Sequence, residues 1–172
     1  MAAGYSAYLL RSCADLAPGD LLAGTREADL HTIAEDDISD EAVIVDAMKQ
    51  LRIENVKPPG FVFYRLSYRP EGLRQIDVER WPTLEATKGV IAELVETLEA
   101  ARHPLLPRLR PHLEACVDIV DVRFGSSRGE AMAPILASEV TRWLAEKYDG
   151  IIRAADDTWW RLGRYRQYER FA

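Results

Sequence analysis

Cysteine is scarce in this chain and never comes in close pairs. Cys13 and Cys116 are its two cysteines, so no CxxC or zinc-knuckle spacing exists. Two reduced thiols, one or both buried, are the expectation. The GxGxxG, P-loop, HExxH, GxSxG and EF-hand patterns are also missing. That removes the sequence-local routes to dinucleotide, phosphate, zinc, acyl-enzyme and calcium chemistry, and no cofactor or metal is expected. No run approaches the roughly 20 apolar residues of a membrane-spanning helix. The opening MAAGYSAYLLRS has only a short apolar run and no basic n-region. A cytoplasmic location without membrane contact is the expectation.

Hydrophobic residues make up 48% and charged residues 29% of the 172 positions, the balance of a globular chain rather than a disordered one. A chain this long buries roughly two-thirds of its unfolded surface and folds without staples. One domain over 1–172 is expected, with an irregular acidic segment over 13–38 and a tail over 163–172 that reads as a short helix or a flexible end.

The charge is unevenly placed. The net formal charge is −6. Residues 15–46 hold ten acids against one base, Arg26, whereas residues 47–172 hold 20 bases and 18 acids. The acidity thus belongs to one segment and the remainder is nearly neutral. Such a segment repels a nucleic-acid backbone and attracts a basic protein. Asp29, Glu35, Asp36, Asp37, Asp40 and Glu41 are its candidate partner-binding residues.

Residues 5–12, 61–68, 73–80 and 117–124 read as strands, the second and third joined as a hairpin through Arg69-Pro70-Glu71-Gly72. A further hairpin over 151–162 turns at Asp156-Asp157. Apolar spacing predicts a helix from a Ser39 cap to about residue 52, and a longer one over 84–102 capped by Thr83. Leu84, Ile91, Leu94, Val95, Leu98 and Ala101 form the buried stripe of the longer helix. Another helix begins near Ser127 or Ala133 and stops at Gly150. Residues 13–38 show no clean period, with turn signals at Pro18-Gly19 and Ala23-Gly24-Thr25. Pro104, Pro107 and Pro111 leave only short, broken helix over 103–116. The expected fold is α+β, with a mixed or mostly antiparallel sheet of about five to six strands and three to four helices mainly on one face.

FGSSRG over 124–129 follows a strand and precedes a helix, where an anion can meet helix N-termini, but it lacks the P-loop lysine. It reads first as a capped helix start. His112 and Cys116 stand four apart, as a base and a nucleophile on one helical face would, although no orienting group or oxyanion hole is visible. They form the core of an alternative enzyme reading, with His31 a further suspect. A structural or adaptor role is the other alternative. Asp118 and Asp121 fall on opposite faces of one strand and do not pair. The carboxylates at 36, 37, 40 and 41 miss the spacing of a calcium loop and read as a helix start or a protein-binding surface. Trp159 and Trp160 stand among C-terminal arginines, a composition found both in cores and at protein hot spots, and they join the candidate partner-binding set.

RWLAEKYDGIIRAADDTWWRL, residues 142–162, combines an amphipathic helix, a glycine stop and a hairpin with an acidic turn and a Trp pair. It resembles the C-terminal endings of small cytoplasmic immunity proteins from bacterial polymorphic toxin systems. The resemblance covers about an eighth of the chain and assigns no residue a role. It implies tight one-to-one binding of a cognate toxin domain that blocks the toxin's active site, and no enzymatic activity.

Overall fold

The computed structural model describes residues 3–27, 41–57, 62–69, 75–125, 132–163 and 168–171. The chain runs β1 (Ala3–Leu9), α1 (Pro18–Arg26), α2 (Glu41–Gln50), β2 (Arg52–Asn55), β3 (Phe63–Ser67) and β4 (Gln75–Arg80). Then come α3 (Leu84–Ala100), α4 (Leu106–Ala115), β5 (Asp118–Phe124), α5 (Met132–Lys147), β6 (Gly150–Ala154), β7 (Trp159–Leu162) and β8 (Tyr168–Arg170). The strands form one sheet in the order β2-β3-β4-β5-β1-β6-β7-β8. Every pairing is antiparallel. The fold is therefore α+β, with eight strands and five helices among the described residues, more of each than the sequence suggests.

Alternation along the central strands places the helices. Ala7 and Leu9 of β1, with Val120 and Val122 of β5, join one buried cluster; Tyr8 and Ile119 join another. Successive strand side chains point to opposite faces, so the sheet carries a core on each side. Leu21 of α1, Ile44 and Ala47 of α2, and the inner side of α5 fill the first. Ile91, Leu94 and Leu98 of α3, with Leu106, Leu109 and Leu113 of α4, fill the second. The expectation of helices mainly on one face is thereby corrected. Periodicity shows that a helix has a buried side, not which side of the sheet receives it.

Several local readings change for physical reasons. Pro18-Gly19 opens α1 instead of a turn, because proline at the start of a helix loses no hydrogen bond and presets φ. Pro107 plays the same part in α4, a ten-residue helix that tolerates Pro111 inside it. The expected helix tail at residue 52 is instead β2, a polar strand on β3. Within α3 the Thr83 cap is borne out, its hydroxyl accepting from Ala86 N at 3.1 Å. Leu84, however, is 48% exposed and Ala101 is exposed at the C-cap, so both leave the buried stripe. The stop after α5 is Asp149 at φ 54°. Gly150 already belongs to β6, where a Cβ would meet Leu9 Cδ2 and the Tyr8 carbonyl at 2.8 Å. The C-terminal stretch ends in β8, with Phe171 buried and its amide donating to Trp159 O at 2.8 Å.

One close approach fixes α1 against α5. A Cβ at Gly24 would lie 2.0–2.6 Å from indole atoms of Trp143. Gly24→Ala should cost about 1–3 kcal/mol through overpacking, more than the ~1 kcal/mol that alanine returns in helix propensity. Urea denaturation reads this directly; an unchanged midpoint would mean that the helices can separate.

Candidate functional surface

The acidic segment is seated by a buried carboxylate. Asp118, at the start of β5, is 1% exposed. Its carboxylate accepts from Ser12 Oγ at 2.8 Å, Cys13 N at 2.8 Å, Arg80 Nε at 3.0 Å and Arg80 Nη2 at 2.9 Å. Those bonds pin the loop between β1 and α1 onto the sheet. Tyr64 of β3 adds another, its hydroxyl donating to Leu16 O at 2.6 Å. Arg26 Nη2 donates to Leu51 O at 3.0 Å and joins the end of α1 to the residue after α2. Cys13 lies in this packed corner, where burial pushes its thiol up to about 12.

The anchoring leaves the acids outside. Asp15, Asp20, Glu27, Glu41 and Asp46 are all exposed. Glu41 stands in the first turn of α2, where the helix dipole favours an anion. Among the described residues, the one ion pair these five make is that of Asp20 with Lys147 Nζ at 3.4 Å. Asp46 accepts from Gln50 Nε2 at 2.8 Å within its own helix. Among the described residues their charge is therefore little neutralised. Asp29, His31, Glu35, Asp36, Asp37 and Asp40 lie outside the described residues, as does FGSSRG beyond Gly125.

The C-terminal aromatic pair divides. Trp159 is fully buried, its ring 5.3 Å from that of Tyr8, so its indole serves the core rather than a partner. Trp160 is half-buried, and its Nε1 donates to Thr158 Oγ1 at 3.1 Å. The alternation that buries one and not the other is the signal, available in the sequence, that could have separated them.

The proposed Cys116–His112 pair is not assembled. Cys116 is 3% exposed, at the base of a groove of about 240 Å³ between α3 and α4. Its Sγ donates to Asp118 O at 3.2 Å. Burial pushes the thiol up to about 11, so little thiolate exists at neutral pH. The His112 ring instead meets Phe171 edge-on with centroids 6.0 Å apart. Burial, aided by nearby Arg161, lowers its pKa. Asp118 and Asp121 face opposite sides as expected. The Asp121 carboxylate accepts from Ser6 Oγ at 2.6 Å, Arg123 Nη2 at 3.1 Å and Trp81 Nε1 at 3.3 Å.

Among the described residues, no group of three or more His, Cys, Asp or Glu is placed to hold a metal ion. No helix there is long and apolar enough to cross a membrane. No protein-family model, curated protein or solved structure matches the chain.

Proposed function

We propose that the chain is a cytoplasmic protein-binding module that captures a basic partner through residues 15–46. The partner class suggested by the C-terminal resemblance is a toxin domain, bound one-to-one with its active site blocked, as by an immunity protein. The observation that carries the reading is the presentation of the acids. All five described acids of the segment are exposed, and the loop that leads into it is bonded to the buried Asp118 carboxylate. Uncompensated charge on a pinned scaffold speeds encounter with a basic surface and restricts which surface fits. The contact would extend through Asp29, Glu35, Asp36, Asp37 and Asp40. The enzyme reading draws less support, since Cys116 bonds the Asp118 carbonyl and His112 packs on Phe171.

Co-expression tests this. The proposal expects the gene to lie beside that of a large secreted toxin, and expects the chain to rescue cells from that toxin's C-terminal domain. Reversal of Asp36, Asp37, Asp40 and Glu41 to lysine should weaken rescue while the purified variant stays folded. A metabolic neighbour gene together with silent reversals would reject the reading.

A further inference from the structure

We propose that the chain forms a two-fold dimer through the part of its sheet that α3 and α4 leave open, on the side away from α1 and α2. Helices α3 and α4 cover the Tyr8 and Ile119 side of the sheet near its centre. Farther out, the same side shows a cross-strand row of Glu54 on β2, Arg65 on β3, Asp77 on β4 and Arg123 on β5. Glu54 is exposed. The side chains of Arg65 and Asp77 are each 31% exposed and that of Arg123 is 53% exposed.

Along this row the charge alternates, negative, positive, negative, positive. Strands about 4.8 Å apart make the row roughly 14 Å long. An even, alternating row read from its other end has every sign reversed. A two-fold axis parallel to the strands, passing between β3 and β4, therefore sets Arg123 of one copy over Glu54 of the other and Asp77 over Arg65. Such an interface is isologous, each contact occurring twice. An axis across the strands would instead set each residue over itself, like charge on like.

The same operation carries the helical layer of each copy toward the β2 edge of the other. Sheet faces stack about 10 Å apart, a gap that two long charged side chains span. Within one copy Arg65 pairs with Asp77 at 2.9 Å and Arg123 with Asp121 at 3.1 Å. Glu54 interacts electrostatically with Arg65, its cross-strand neighbour, and the dimer adds Arg123 of the second copy. The acidic helices stay free on the opposite side, so the dimer neither requires nor prevents capture of a basic partner.

Sedimentation velocity on the full chain at low and high salt tests the proposal. A reversible dimer that salt weakens is expected. Glu54→Lys, an exposed change that leaves the Arg65–Asp77 pair intact, should raise the dimer dissociation constant roughly tenfold or more. The double swap Arg65→Asp with Asp77→Arg keeps both the in-plane pair and the reversed-sign symmetry, so it should remain dimeric. A chain that is monomeric at every concentration overturns the proposal. So does a dimer indifferent to both salt and Glu54→Lys, or a folded double swap that no longer dimerises.

Discussion

Replacing Asp118 by asparagine is expected to lower folding stability by about 3–5 kcal/mol. The substitution barely changes shape but removes the charge facing Arg80, whose side chain is only 15% exposed. A buried guanidinium left without its anion is the costly outcome; the intact pair itself contributes far less. Asparagine also offers one acceptor oxygen where Ser12, Cys13 and Arg80 now use both. Equilibrium urea denaturation measures the loss. The double variant Asp118→Leu with Arg80→Met separates the causes. It removes the lone charge and should recover part of the stability. It should not recover all, because the Cys13 amide stays buried without an acceptor at about 1–3 kcal/mol. Full recovery would mean that the loop before α1 does not depend on Asp118. A loss below about 1 kcal/mol for Asp118→Asn would mean that water reaches Arg80.

Trp159→Ala should cost a similar amount, about 3–5 kcal/mol. The side chain is the largest of those fully buried and lies against Tyr8, with Arg153 Cζ 5.7 Å from its ring centre. Its removal opens a cavity where β7 meets the buried Phe171. Trp159→Phe behaves differently. The indole Nε1 is buried with no hydrogen-bond partner among the described residues, so phenylalanine deletes an unsatisfied donor along with some volume. The two terms oppose each other, and the variant should stay within about 1.5 kcal/mol of the parent. Thermal melts of both variants decide it. A Trp159→Ala variant as stable as the parent would place the indole at the surface, where a partner could use it.

The sequence is informative where a segment carries its own signal. Thr83 caps α3 because a hydroxyl three residues before an amide needs nothing else to bond it. The β3–β4 and β6–β7 hairpins follow from alternation and turn residues alone. Other elements owe their form to neighbours. In β2, Arg52-Ile53-Glu54-Asn55 has one apolar residue, and it is a strand because β3 offers it an edge. In β8, the three residues depend on Phe171 and on Tyr168, whose hydroxyl donates to Arg142 O at 3.0 Å. Likewise α1 depends on Trp143 fitting against Gly24, a match between residues far apart in the chain. The candidate surface shows the same division. Its charge is local and legible in composition. The carboxylate that seats it, Asp118, lies on β5, and its role appears only when that strand meets Arg80 and the loop before α1.

The central claim, that residues 15–46 form a steering surface for a basic partner, is tested most directly by association kinetics. The measurement is the on-rate for the C-terminal toxin domain encoded beside this gene, followed by stopped flow as salt is raised. It is made for the parent and for a variant with Asp15, Asp20, Glu41 and Asp46 reversed to lysine. The account predicts a parent on-rate that falls steeply with salt, and a variant slower by roughly tenfold or more at low salt with a flattened or inverted salt dependence. Equal rates for parent and variant, both indifferent to salt, would contradict it.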